Sequence, residues 1–274
     1  MTVGEALAQA RASGLDRLDA QLLLGHATGR SRAWLVAHDG DALDTAAAQA
    51  YRAMVARRAG GEPLAYLVGE KEFHGLPLAV GPAVLVPRPD TETLVDWGIE
   101  LLRGPLAGIA APAVVDLGTG SGAIALAVKH AVPRADVTAT DASAAALATA
   151  AANARRLGLE IACRAGDWWA ATPARRFHLA LANPPYIAEG DPHLDALRHE
   201  PPMALAGGPD GLDAIRAIVA GAPSHLEPGA WLVFEHGHDQ AAAVAGLLRT
   251  GGFAHVASRA DLAGITRCTG GRRP

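Results

Sequence analysis

Beyond residue 112 short apolar runs alternate with helical ones, and this alternation restricts the fold more than any other feature of the chain. Ala113-Val114-Val115-Asp116-Leu117 reads as a strand, followed by a glycine-rich turn and a helix over 121–131. Asp136-Val137-Thr138-Ala139-Thr140 is the next strand, and the alanine-rich run 142–157 the next helix. Leu159–Cys163, Leu179–Ala182, Trp231–Phe234, Phe253–Val256 and Ile265–Cys268 supply further short strands. Strands joined through helices return parallel to one another, so the pattern predicts a mostly parallel sheet with helices on both faces. The fold class is α/β.

The amino-terminal part has a different texture. Val3, Ala6, Leu7 and Ala10 recur at helical spacing before Gly14, and Leu15, Leu18, Leu22 and Leu23 do so up to Gly29. Ser31 can cap a third helix, and Asp44 or Thr45 a fourth through Tyr51 and Met54. No strand signal interrupts them, so a small helical bundle is expected over residues 1–62. Ala65–Val68 and Leu76–Val80 flank a polar segment with Gly75, which suggests a β-hairpin connector within 63–86. The α/β domain then occupies 87–274, opening on a helix capped near Asp90 and running through Leu94, Val95, Trp97 and Leu101.

Composition narrows the function. Half the 274 residues are apolar, enough for a sizeable core, and the net charge is −4. That charge argues against affinity resting on broad contact with nucleic-acid backbones. Two cysteines, Cys163 and Cys268, are too few for a disulfide framework. The start lacks a signal-like run and no 18-residue apolar stretch occurs, so a cytoplasmic chain off the membrane is expected.

Four stretches at predicted strand ends carry chemistry. In Asp116-Leu117-Gly118-Thr119-Gly120-Ser121-Gly122 the glycines allow a tight turn and close approach of a ligand, and the next helix N-terminus offers N–H groups to an anion. The pattern fits both dinucleotide and S-adenosylmethionine sites. Asp141 ends the second strand, where a carboxylate can accept both ribose hydroxyls, although it can also cap the helix beginning at Ala142. After the third strand, Asp167 can accept from an exocyclic amine and Trp168 or Trp169 can cover adenine; a tryptophan there can equally be core.

The fourth stretch is Asn183-Pro184-Pro185-Tyr186. Two consecutive prolines cannot donate to a sheet ladder, so the strand before them must stop at Asn183. A surface turn would account for Asn-Pro alone. A hydride-transferring enzyme would leave the tetrapeptide without a role, whereas a methyltransferase gives it one. An amide or nucleobase nitrogen is a poor nucleophile because its lone pair is delocalised. The Asn183 side-chain oxygen and the Pro184 carbonyl can accept its two N–H bonds, aim it at a methyl group and stabilise the developing charge. Tyr186 can pack on the planar group.

These residues resemble those of the HemK family, the release factor glutamine methyltransferases, over nearly the whole chain. Gly61-Glu62-Pro63-Leu64-Ala65-Tyr66 is similar to the family's joining segment, and Pro87-Arg88-Pro89-Asp90-Thr91-Glu92 to its Pro-Arg-Pro-Glu-Thr-Glu signature, with Asp90 one methylene short. Gly118 to Gly122, Asp141, Asp167-Trp168 and Asn183 to Tyr186 match its motifs, as do Glu200-Pro201-Pro202 and Asp261 to Arg267. Trp169 departs from the usual phenylalanine or leucine. The resemblance implies a seven-stranded Rossmann-like sheet ending in an antiparallel hairpin. S-adenosylmethionine would be held by Gly118, Thr119, Gly120, Ser121, Gly122, Asp141, Asp167, Trp168 and Asn183. Catalysis would fall to Asn183, Pro184 and Tyr186, with Pro185, Arg88 and Glu92 at the substrate. The implied substrate is the glutamine of the Gly-Gly-Gln loop in peptide chain release factors, met by a monomer. A nucleobase-amine methyltransferase is the alternative, because such enzymes share an Asn/Asp-Pro-Pro-aromatic tetrapeptide.

Glu235, His236, His238 and Asp239 contain metal-ligating types but lack a second ligand pair at supporting spacing; they read as a polar strand end, and no metal is expected. Cys163 and Cys268 read as buried small side chains.

Overall fold

The computed structural model describes residues 1–274, which divide into two compact units, Met1–Glu70 and Lys71–Pro274.

The first unit is helical: α1 (Val3–Ala12), α2 (Arg17–Thr28), α3 (Arg32–Ala37), α4 (Thr45–Ala59) and α5 (Leu64–Val68). Its helices start where side chains satisfy their free N–H groups. Thr2 and Glu5 form a reciprocal capping box on α1, and Asp16, Ser31 and Asp44 cap α2, α3 and α4. Val3, Leu23, Leu24, Leu35 and Tyr51 fill the core. Leu18 and Leu22, expected on the buried face of α2, are instead 48% and 36% exposed, because Ala20, Leu23 and Leu24 turn inward.

The segment 63–86 corrects an expectation. Ala65–Val68 is not a strand but part of α5, which ends at Gly69 in the left-handed conformation (φ 78°). The hairpin is β1 (Glu70–Phe73) and β2 (Leu76–Ala79), turning at His74-Gly75, both with positive φ. Its first strand, Glu-Lys-Glu-Phe, buries only Phe73, so it has no alternating apolar signal. Phe73, Leu76 and Leu78 join the core of the second unit, which makes the hairpin a component of that unit's packing.

The rest of the second unit runs α6 (Glu92–Arg103), β3 (Ala113–Leu117), α7 (Ala123–Ala131), β4 (Asp136–Asp141), α8 (Ala144–Leu157), β5 (Ala162–Ala165), β6 (Phe177–Ala182), α9 (His193–Ala196), α10 (Asp213–His225), β7 (Leu226–Glu235), α11 (Ala241–Thr250), β8 (Ala254–Ala260) and β9 (Thr266–Arg272). The seven strands are ordered β5-β4-β3-β6-β7-β9-β8. Those from β5 to β7 are parallel, and β9 pairs antiparallel with both β7 and β8. The order reverses between β3 and β6, and the crevice beyond the carboxyl ends there is where open α/β sheets bind ligands.

Both sheet faces are buried, as parallel strands require. Leu179, Leu181 and Val233 face a core with α6, α7 and the hairpin; Ala180, Ala182, Leu232 and Phe234 face one with α10 and α11. Each fully buried leucine contributes roughly 1.5–3 kcal/mol of transfer free energy. Gly98 lets α6 approach the sheet closely: a Cβ there would meet Leu181 Cδ1 at 2.9 Å. The third predicted strand shifts along the chain, since Leu159 and Ile161 pack against the core edge and the ladder uses Ala162–Ala165.

Candidate active site

Strand register brings the four stretches to one edge. Leu117 pairs with both Thr140 and Ala182, Asp141 pairs with Ala165, and Ala182 pairs with Phe234. The next step along these strands places Asp141, Gly118, Asn183 and Glu235 in a row, with Ala165 beside Asp141. A cavity of about 230 Å³ opens there, lined by Gly118 to Ser121, Asp141, Asp167, Trp168, Asn183 and Pro185. Leu85, Arg88, Thr91 and Met203 close other sides.

The glycine-rich turn is built for close approach. Gly118, Gly120 and Gly122 have φ of 78°, 55° and 85°, which disfavour any side chain. A Cβ on Gly118 would lie 3.4 Å from the Trp168 ring, and one on Gly122 would press on Leu126 and Ala150. Asp116 anchors the turn from beneath. Its Oδ2 accepts from Thr119 Oγ1 (2.6 Å) and from the Ala125 N–H (3.2 Å), so the chain itself uses one donor of the helix end expected to be free for an anion. Burial pushes the Asp116 carboxyl up to about 7, and its Oδ1 lies buried without a hydrogen-bond partner.

Asp141 does not cap α8; Ser143 does. The Asp141 carboxylate accepts from Gly120 N–H (2.9 Å) and Ser143 N–H (2.8 Å), tying the end of β4 to the glycine turn while lining the cavity. The two tryptophans separate. Trp168, at a strained positive φ of 44°, lies across Gly118 at the cavity, whereas Trp169 is core, donating to the Ile218 carbonyl (2.8 Å) and stacking on His225.

Within the tetrapeptide, Asn183 and Pro185 face the cavity, Pro184 is buried, and Tyr186 is half-buried outside the lining. Asn183 Nδ2 donates to Thr91 Oγ1 at 3.2 Å. The Tyr186 carbonyl accepts from Gln240 Nε2 (3.0 Å), which fixes the chain after the prolines. Burial, with Glu235 second, pushes the Tyr186 phenol well above its ordinary range, so it stays protonated.

Arg88 and Glu92 part company. Arg88 reaches the cavity and pairs with buried Glu200, which also accepts from the Val86 N–H (3.0 Å). Glu92 lies off the cavity and accepts from the His74 backbone N–H (3.0 Å), so it secures the β1–β2 turn. Thr91, the residue just before α6, lines the cavity beside Arg88. Glu200, Thr91 and Arg267 carry structural weight that sequence reasoning left without roles. Arg267 bridges Asp90 and Asp261, each at 3.3 Å. The Glu200-Pro201-Pro202 and Pro-Arg-Pro segments were the available signals.

Glu235 and His236 are not a surface cluster. Successive strand residues face opposite ways. His236 is fully buried, its ring contacting Thr269 Oγ1 (2.7 Å) and the Gly237 carbonyl (2.8 Å), while the buried Glu235 carboxyl faces Thr91 and Asn183.

Comparison with known proteins assigns this architecture. Residues 3–69 match the model of the PrmC N-terminal domain, and residues 91–200 that of the methyltransferase small domain. The chain is 54% identical to the release factor glutamine methyltransferase of Bordetella pertussis, over 94% of this chain and 95% of that one. It is 51% identical to the enzyme of that name from Burkholderia pseudomallei, over 96% and 94%. Among solved structures, the hMettl16 catalytic domain aligns with a TM-score of 0.56 at 17% identity, over 80% of this chain and 81% of that one, a likeness of fold. On that identity and coverage, the chain belongs to the release factor glutamine methyltransferase family.

Proposed function

We propose that this protein transfers a methyl group from S-adenosylmethionine to the side-chain amide nitrogen of the glutamine in the Gly-Gly-Gln loop of peptide chain release factors. The observation that carries the reading is the anchored Asn183: its amide nitrogen is committed to Thr91 at 3.2 Å, which leaves the amide oxygen for a primary amide. When bound, S-adenosylmethionine supplies a sulfonium methyl as the electrophile. The glycine turn, with its left-handed backbone and the Asp141 brace, fits the methionine and ribose portions, and Asp167 with Trp168 fits the adenine.

In this reading Asn183 Oδ1 and the Pro184 carbonyl accept the two N–H groups of the substrate amide and point its nitrogen at the methyl. Acceptors held at that point stabilise positive charge as the N–C bond forms and the S–C bond breaks. The proton leaves the nitrogen afterwards, so no general base is needed before transfer. Tyr186, kept neutral by burial, packs beside the amide, and Arg88, held by Glu200, shapes the rim. Residues 1–62 dock the release factor, and the chain acts as a cytoplasmic monomer on protein, without nucleic acid. No helix is long and apolar enough to cross a membrane. Transfer of labelled methyl to purified release factor, beside rRNA and tRNA, tests the reading; label entering RNA in preference to protein would replace it with a nucleobase-amine activity.

A further inference from the structure

The geometry points to Glu235 as a positioning residue that sets which way the Asn183 amide faces. An asparagine amide fits its slot in two orientations that differ by exchange of oxygen and nitrogen. The substrate amide requires the oxygen outward. Three observations show what enforces this. Asn183 and Glu235 continue the Ala182–Phe234 register on adjacent parallel strands, so both side chains leave the same face of the sheet, toward the start of α6. Thr91 stands there, 4% exposed, and takes the Asn183 Nδ2 donor. The Glu235 carboxyl, 1% exposed, faces both, and its Oε2 has no hydrogen-bond partner.

An ionised carboxylate accepts hydrogen bonds and cannot donate. Turning the Asn183 oxygen inward would set it against that carboxylate, one acceptor facing another. With the nitrogen inward, the amide donates to Thr91 Oγ1 and faces the carboxylate with its hydrogens. A neutral group at this position supplies a donor and removes the penalty, so the flipped amide becomes populated and offers N–H to a substrate that needs an acceptor. Glu235 therefore acts on the reaction through Asn183.

The charge on Glu235 is balanced by its surroundings. Asp90 from the turn before α6 opposes ionisation and Arg267 of β9 favours it, while Tyr186 and Cys268 beside it are neutral. Burial, the largest influence, raises the carboxyl to about 7. The orientation of Asn183 is thus most strictly enforced above neutrality, and kcat should climb as Glu235 loses its proton.

This role rests on the glutamine-methylation reading, and its test separates the two. Wild type and Glu235→Gln are compared on release factor for kcat, cofactor Kd and pH profile. Glu235→Gln is expected to keep its cofactor Kd within about twofold and to lose roughly 10–100-fold in kcat, a loss below that of removing the acceptor outright. The rise of kcat near pH 7 should vanish with it. Wild-type kcat and an unchanged profile in Glu235→Gln would overturn the role while leaving glutamine methylation intact; absence of transfer by wild type would instead strike the reading itself. Should Glu235→Gln not fold, Thr91 decides. Thr91→Ser is expected to stay within about twofold of wild type and Thr91→Val to lose kcat at unchanged cofactor Kd, and equal rates in the two would overturn the inference.

Discussion

Asn153 of α8 holds both backbone polar groups of Ala79 of β2: its Oδ1 accepts the Ala79 N–H at 2.8 Å and its Nδ2 donates to the Ala79 carbonyl at 3.0 Å. The same Nδ2 donates to the Ser121 carbonyl at 2.9 Å, so one fully buried amide joins the hairpin, a sheet-covering helix and the glycine turn. A hairpin of four-residue strands has little stability alone and depends on such attachment.

Replacing that amide should therefore affect stability and ligand binding together. Asn153→Leu leaves three groups without their partner, the Ser121 carbonyl and the Ala79 N–H and carbonyl, and each unsatisfied group costs about 1–3 kcal/mol. A loss of about 3 kcal/mol or more in denaturant-measured stability is expected, with weaker cofactor binding because the glycine turn loses its tether. A variant as stable as wild type would show the three contacts to be incidental.

Asp141 is the corresponding link on the cofactor side. Asp141→Asn keeps one acceptor but turns an NH₂ group toward either Gly120 or Ser143, both of which donate. S-adenosylmethionine affinity measured by calorimetry should fall by roughly 1.5–3 kcal/mol, the range for hydrogen bonds to a charged group. NAD should show no comparable affinity for the wild-type protein. An unchanged Kd in the variant, or tighter binding of NAD, would contradict the assignment of this carboxylate.

How much of this was legible in the sequence varied with the range of the interaction. Turn and strand-end chemistry is local, so Gly118 to Gly122, Asp141 and the stop at Asn183 could be read directly, and parallel register then aligned them without further information. Arg88 could not be tied to Glu200, because the pair lies 112 positions apart and only the fold unites it. Nor could Glu92 be tied to the His74 backbone N–H, 18 positions away in the hairpin turn. Glu235 looked like a polar strand end, since its burial depends on α6 and β9 closing over it.

The division at Glu70 gives a test of the docking role proposed for the helical unit. A chain starting at Lys71 keeps Phe73, Leu76 and Leu78 in the catalytic core, whereas one starting near Leu85 would strip them out. The Lys71 version should unfold cooperatively, bind cofactor within about threefold of the full chain, and lose at least about tenfold in kcat/KM on intact release factor, a loss of about 1.4 kcal/mol. Unchanged kcat/KM on intact release factor would remove the helical unit from substrate recognition.

The central claim is that Asn183 presents its amide oxygen to a glutamine side chain. It is tested most directly by turnover of Asn183→Ala with labelled S-adenosylmethionine and two release factors, one intact and one with its Gly-Gly-Gln glutamine replaced. Loss of one preorganised partner for developing charge lowers kcat by roughly 10²–10³-fold. Asn183→Ala should show that loss with its fold and most of its cofactor affinity retained, and wild type should leave the glutamine-replaced factor unlabelled. Near-wild-type turnover by Asn183→Ala, still at glutamine, would contradict the account.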